Sequence, residues 1–363
     1  MALTYGAVGV DTEAVEGALG RLATWVNATF AFNAVTPLLP LGYYANVLPL
    51  ANDLAVAVST DGVGTKLLVA QALERYDTVG IDCVAMNAND VLCVGARPVS
   101  LVDYIAVHHV DADVLGAIGK GLHDGAQLAG VNIPGGEIAQ LREMMPGDVA
   151  YPFELVGTCF GTVHPQRVLV GQDVAAGDAV IGLASSGLHS NGYTLARHAL
   201  LQRAGLGLHE RLPELGRTLG EELLEPTVLY VRPALATLNA GLAVKAFLHI
   251  TGDGLLNLSR IAAPMGFVID RPLPAPPIFG LIQRAADVAD AEMFRTFNMG
   301  TGFAAVVPAD EAERACAIAS EHGHRAQVIG RAVADSQRRV WLPTHGLVSA
   351  GKEFRPAECA PPA

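Results

Sequence analysis

The chain has 363 residues, enough for two domains with their own cores, and 51% of them are hydrophobic against 17% charged. That balance predicts a large buried surface, part of it between subunits, and so a homo-oligomer. A formal charge of -12 excludes nucleic acid and anionic membrane as natural partners, since both are bound through fields of Lys and Arg. Five cysteines, Cys83, Cys93, Cys159, Cys316 and Cys359, form no close pair, and the first three lie in apolar surroundings. Those three read as buried thiols of a reducing compartment. The first residues lack a basic segment followed by an apolar core, and the apolar stretch from Thr24 to Tyr44 is broken by Asn27, Asn33, Pro37 and Pro40. The expectation is a soluble, cytoplasmic protein.

In chain order, Val15 to Val26 predicts a helix and Pro37 to Pro49 a loop. Leu54 to Ser59 is a β-branched strand, and Lys66 to Tyr76 carries the apolar spacing of a helix. The turn between them, Thr60-Asp61-Gly62-Val63-Gly64-Thr65-Lys66, serves equally as a phosphate cradle or a capped strand-to-helix turn. Two glycines let backbone amides approach a ligand, and Asp61 suits a divalent cation better than a bare phosphate. Thr78 to Gly95 has helical spacing interrupted by Asn87, Asn89 and Asp90, polar groups that are costly in an apolar helix unless paired or bound.

Pro98 to His109 is a strand, and Asp111 reads as the N-cap of a helix to Ala129. Shorter strands are expected at Val131 to Pro134 and Glu154 to Val163, with a glycine turn carrying Glu137 between them. A second unit begins near Arg167. Its strand Ala179 to Ala184 leads through SSGLHSNG to a helix from Tyr193 to Arg203, and its strand before Thr251-Gly252-Asp253-Gly254 leads to another helix. His189 is either an acid or base near neutrality or a plain loop residue. Asp290 to Phe297 reads as a helix, followed by strands at Phe303 to Val307, Ala326 to Ala332 and Arg338 to Leu342. From Gly346 the composition suggests a mobile tail. The division is thus 1–166, 167–345 and 346–363, in an α/β or α+β chain.

Five stretches taken together, STDGVGTK (59–66), NDVLCVGARP (89–98), GGE (135–137), SSGLHSNGYTLAR (185–197) and MFRTFNMGTGF (293–303), resemble the aminoimidazole ribonucleotide synthetase, or phosphoribosylformylglycinamidine cyclo-ligase, family of purine biosynthesis. The resemblance implies an N-terminal α/β domain that completes a β-barrel with its counterpart in a homodimer, and a C-terminal α/β domain beside it. It also implies ATP- and Mg²⁺-dependent ring closure of a small nucleotide substrate. Carried over by position, Asp61, Asp90 and Glu137 would hold metal, and Gly62, Gly64, Thr65 and Asn89 would lie along ATP. Ser190, Asn191, Gly192, Gly252 and Gly254 would line the substrate site, with His189 and Lys66 catalytic. The competing implications are a thiamine-monophosphate kinase-like phosphotransferase and an inactive nucleotide-binding relative. The sequence departs from the pattern at Ile138, Gln140 and Asp253, and residues 21–50 contain no Lys and only Gly42.

Overall fold

The computed structural model describes residues 4–10, 12–145 and 149–362. The first unit opens with α1 (Thr12–Ala28) and carries β1 (Asn46–Pro49), β2 (Ala55–Gly62), β3 (Arg97–Val107), β4 (Gly136–Gln140) and β5 (Phe153–Val163). These strands form one sheet in the order β1-β2-β5-β3-β4. The second unit contributes β6 (Ala179–Ala184), the small hairpin β7 (Arg211–Leu212) and β8 (Arg217–Thr218), β9 (Ala246–His249), β10 (Met265–Val268), β11 (Thr301–Val307), β12 (Ala326–Ala334), β13 (Val340–Leu342), β14 (Leu347–Ala350) and β15 (Glu353–Pro356). All but the hairpin join an eight-stranded mixed sheet in the order β15-β14-β13-β10-β12-β6-β11-β9. The fold is two mixed α/β domains.

Alternation decides the faces of the first sheet. Ala55, Ala57 and Ser59 of β2, and Leu155, Gly157 and Cys159 of β5, are buried beneath α3 (Val79–Leu92), on which α4 (Ala112–Ala129) packs, while α2 (Leu67–Leu73) follows β2 in the chain. Asp111 caps α4 as expected, accepting from the amides of Asp113 and Val114. No layer of the described residues covers the opposite face. Val56, Val58, Val102 and Val156 are half-buried, and Tyr104 and Phe160 are 38% and 37% exposed. The helices of the second unit are α5 (Tyr193–Arg197), α6 (Leu219–Leu223), α7 (Val231–Asn239), α8 (Pro277–Ala286), α9 (Asp290–Thr296) and α10 (Ala312–Glu321).

Several elements differ from expectation. The loop 37–49 ends in β1, because Asn46 to Pro49 finds an antiparallel partner in β2. Val131 to Pro134 yields only an isolated bridge from Asn132 to Ser100. Glu137 sits within β4, not in a turn, because β4 pairs in parallel with β3. The segment expected as a mobile tail forms β14 and β15, whose ladder extends the second sheet from β13. Pairing supplied by a distant strand offsets the weak local periodicity.

Candidate active site

Helix α3 reaches the second domain through the polar side chains of Asp82, Asn89 and Asp90. Asn87 donates to the carbonyls of Asp61 (3.1 Å) and Cys83 (2.9 Å). Asn89, fully buried, donates to the carbonyl of Val228 at 2.9 Å and accepts from the amide of Tyr230 at 3.0 Å. Both carboxamides therefore serve backbone, and Asn89 is a clamp between domains that keeps only one amide hydrogen and one carbonyl lone pair uncommitted. Asp90 faces His249 at the end of β9, with its Oδ1 2.8 Å from Nδ1. The other ring nitrogen of His249, Nε2, is buried without a hydrogen-bond partner.

Asp61 ends β2 on the face that meets α3, with Oδ1 accepting from the Gly62 amide at 2.9 Å. Burial, and after it the negative charge of Asp90, raise its carboxyl to about 6 against weaker opposing effects of the Gly62 amide and His249. Two carboxylates held together without a cation disfavour ionisation. Beside them, Gly64 has φ +73° and no heavy atom within 4 Å of where a side chain would start. The Gly64 backbone is open to an approaching ligand. Gly62 is less open, since a side chain there would meet Glu154 at 3.2 Å. Thr65 lies 3.3 Å, oxygen to oxygen, from Thr194 of α5, so the turn touches the second domain.

Glu137 does not join this pair. Register places it with Tyr104, Val156 and Gly62, on the open face and three strands away, about 14 Å from Gly62 at ordinary strand spacing. Among the described residues no three His, Cys, Asp or Glu side chains cluster as a metal cage. The donors at hand are two carboxylates, which is what Mg²⁺ requires when phosphate and water complete its shell.

Lys66 is not at the surface of the turn. Its side chain is wholly buried against Asp82, and burial depresses its basicity while Asp82 opposes the shift. His189 is also buried, with φ +63°. Its Nε2 accepts from the Ser186 amide at 3.3 Å, and Nδ1 is buried without a partner. Burial lowers the His189 pKa well below its usual value, helped by the neighbouring His249 and Lys66 charges. The imidazole is thus a neutral group inside its loop. The Ser190 hydroxyl also turns inward, onto Asp82. Asn191 is half-buried, and its Oδ1 would lie 3.4 Å from a side chain begun at Gly252. The two turns expected to line the substrate site therefore face each other.

Gly192 and Gly254 are required by packing. A Cβ would come within 2.2 Å of the Phe297 ring and 2.1 Å of the Phe294 carbonyl, respectively. Asn298, from the Thr296-Phe297-Asn298-Met299-Gly300 stretch, holds the same loop. It accepts from Ser185 at 2.8 Å and donates to the Gly187 carbonyl at 2.8 Å. Asp253 has an ordinary backbone, φ -95°, and is paired with Arg260 at 2.5 Å; Arg260 in turn lies 5.0 Å over the Tyr44 ring. Its negative charge is therefore compensated locally. Ile138 and Gln140 are exposed on the edge strand β4.

Two family models match the chain, AIR synthase related protein, N-terminal domain, over residues 42–163 and AIR synthase related protein, C-terminal domain, over 175–342. The chain belongs to this family. It is 44% identical to the phosphoribosylformylglycinamidine cyclo-ligase of Thermococcus kodakarensis over 93% of this chain and 98% of the relative. It is 42% identical to that of Methanocaldococcus jannaschii over 91% and 92%, respectively. Among solved structures, thiamine-monophosphate kinase from Stenotrophomonas maltophilia shares the fold with a TM-score of 0.58 at 22% identity, covering 87% of this chain and 93% of that one. T. maritima PurL complexed with ATP does so with a TM-score of 0.53 at 17%, covering 86% and 45%.

His249 and Asp82 are the site residues that sequence reasoning missed. For His249 the available signal was a histidine at a strand's C-terminal end immediately before a glycine turn. Asp82 offered only a carboxylate in the first turn of an otherwise apolar helix.

Proposed function

We propose that this chain is a phosphoribosylformylglycinamidine cyclo-ligase of purine biosynthesis, a soluble cytoplasmic enzyme that uses ATP to close the imidazole ring of formylglycinamidine ribonucleotide. The observation that carries the reading is the convergence of Asp61 and Asp90 beside the open Gly64 backbone, at the junction with the Asn191 and Gly252 turns. It agrees with relatives of this name that align over nearly the whole chain, and with a structural neighbour that holds ATP.

In this reading Asp61 and Asp90 hold Mg²⁺. Bound there, the ion would supply charge neutralisation for the triphosphate. The amides at Gly64 and Thr65, with the Thr65 hydroxyl, receive phosphate oxygens at the start of α2. Asn191 and the Thr251–Gly254 turn bind and orient the ribonucleotide. The amide oxygen of the substrate takes the γ-phosphoryl group, giving an iminophosphate and ADP. An amidine nitrogen of the same molecule then attacks that carbon, a C–N bond forms, the C–O bond breaks, phosphate departs and the nitrogen loses a proton. Because nucleophile and electrophile belong to one molecule, holding the chain bent supplies most of the entropic advantage.

The homodimer belongs to the same proposal. The open face of the first sheet presents Val56, Val58, Val102, Tyr104, Val156 and Phe160 to solvent, and the same face of a second copy would close it into a barrel.

The test is release of ADP with Mg²⁺ and formylglycinamidine ribonucleotide, compared with thiamine monophosphate, alongside an arylamine assay for the product. Cyclo-ligase activity requires ADP and aminoimidazole in equal amounts with the first substrate and neither with the second. ADP without aminoimidazole, or phosphorylation of thiamine monophosphate, refutes the reading.

A further inference from the structure

The Lys66 ammonium meets three acceptors, matching its three N–H bonds. Nζ lies 2.9 and 2.8 Å from the two oxygens of Asp82, donates to the carbonyl of His189 at 3.1 Å and donates to the carbonyl of Glu225 at 2.6 Å. Asp82 Oδ1 also accepts from the Thr227 amide at 2.7 Å, the Thr227 hydroxyl at 2.6 Å and the Ser190 hydroxyl at 3.1 Å. Both charged side chains are wholly buried. One ion pair thus ties the turn before α2 and the first turn of α3, both in the N-terminal domain, to two segments of the C-terminal domain, 189–190 and 225–227.

Replacing such a pair by apolar groups is often neutral or stabilising, so bulk stability does not require it. What it does that an apolar pair cannot is fix the direction of particular backbone atoms. His189 is held in the left-handed region at φ +63°, a conformation that persists in a residue with a side chain only where its surroundings enforce it. Lys66 grips the carbonyl of that residue, and Asp82 turns the next side chain, Ser190, inward. Asn191 is then left as the carboxamide facing the Gly252 turn.

We propose that Lys66 and Asp82 are positioning residues: their buried pair holds the 186–192 loop in its strained form and so aims Asn191 at the substrate, without either side chain touching substrate or nucleotide. The inference deepens the cyclo-ligase reading, and its effect on turnover rests on that reading, whereas its effect on the loop does not.

The experiment compares wild type with Asp82→Asn and with the double variant Lys66→Met/Asp82→Leu. The double variant removes both charges together and guards against a single variant that leaves one charge buried alone and fails to fold. Three quantities are measured on the full chain: hydrogen exchange of the 186–192 amides, the dissociation constant of MgATP, and kcat and KM for formylglycinamidine ribonucleotide. In the double variant the fold is retained and MgATP affinity changes far less than turnover, because neither side chain touches the nucleotide even though Lys66 follows Thr65 in the chain. The loop amides exchange faster, while kcat/KM falls about a hundredfold with KM raised as well as kcat lowered, the cost of a misplaced orienting group. A folded double variant with wild-type loop exchange overturns the proposal. So does one whose loop is loosened but whose kcat and KM are unchanged, or one whose MgATP affinity falls in step with turnover. If wild type shows no cyclo-ligase turnover, the functional reading fails, and unchanged loop exchange in the folded double variant still overturns the positioning role independently.

Discussion

Replacing Asp61 with Asn should make the metal-free protein more stable and the enzyme inactive. The carboxyl is raised from 3.8 to about 6 by burial and by Asp90, so the folded state binds its proton more tightly than the unfolded chain does. The sign follows by linkage: the stabilising contribution of the protonated group is complete below about pH 4 and is lost as pH rises through about 6. A shift of that size corresponds to about 3 kcal/mol between the two limits, an upper figure because a partly exposed carboxylate is eased by solvent. An amide cannot ionise and escapes the loss, though it gives up some of the hydrogen-bonding capacity used at the Gly62 amide. Urea unfolding in the presence of a chelator, at pH 4.5 and at pH 8, should show the two proteins alike at the lower pH and the Asn variant ahead at the higher by about 1–3 kcal/mol. Adding Mg²⁺ and ATP should raise wild type toward the variant and leave the variant unmoved. A variant no more stable than wild type at pH 8 refutes the burial penalty assigned to Asp61, and one that keeps full turnover refutes its role as a metal ligand.

The other predictions concern packing and assembly. Gly192→Ala places a methyl 2.2 Å from the Phe297 ring at a residue with φ +75°. It should cost about 2–5 kcal/mol from left-handed backbone and overpacking together, read by thermal unfolding; a loss below about 1 kcal/mol would show that the loop does not depend on this close approach. Phe160→Glu puts a charge in the middle of the open sheet face. If this face closes the proposed homodimer, sedimentation should show a dimer for wild type and a monomer for the variant; a variant dimer would place the interface elsewhere.

The strands and helices that build the site were legible because each has a strong local pattern. The β-branched run of residues 54–59, the apolar spacing of α3 and the Asp111 cap all stand in the structure, though β2 runs on through Asp61 to Gly62, where the sequence predicts a turn. Less legible was which polar side chains face a ligand and which face protein. Asn89, Asp90 and Asp82 share one helix, yet Asn89 closes on backbone, Asp90 on a histidine more than 150 residues distant and Asp82 on a lysine and two hydroxyls. Those partners come from the second domain or from the turn before it, and helical periodicity carries no information about them. The same limit explains Glu137, whose glycine-rich neighbourhood resembles a turn until β3 supplies a strand to pair with. It explains β14 and β15 too, where an alanine- and glycine-rich sequence becomes ordered through a ladder started by β13.

The polar side of α3 also restricts how the chain can be cut. Its side chains at positions 82, 89 and 90 all find partners beyond residue 165, so the connecting segment near Arg167 is not a seam between self-sufficient modules. A fragment ending there would present a carboxylate, a carboxamide and a second carboxylate along an otherwise oily helix, with the far halves of their bonds missing. A fragment beginning there would carry loose carbonyls and a lone histidine along its outer strand. Fusions, truncations and two-plasmid complementation that treat the halves as interchangeable cassettes should therefore yield sticky, poorly soluble pieces, and any exchange between relatives should carry helix and C-terminal half together.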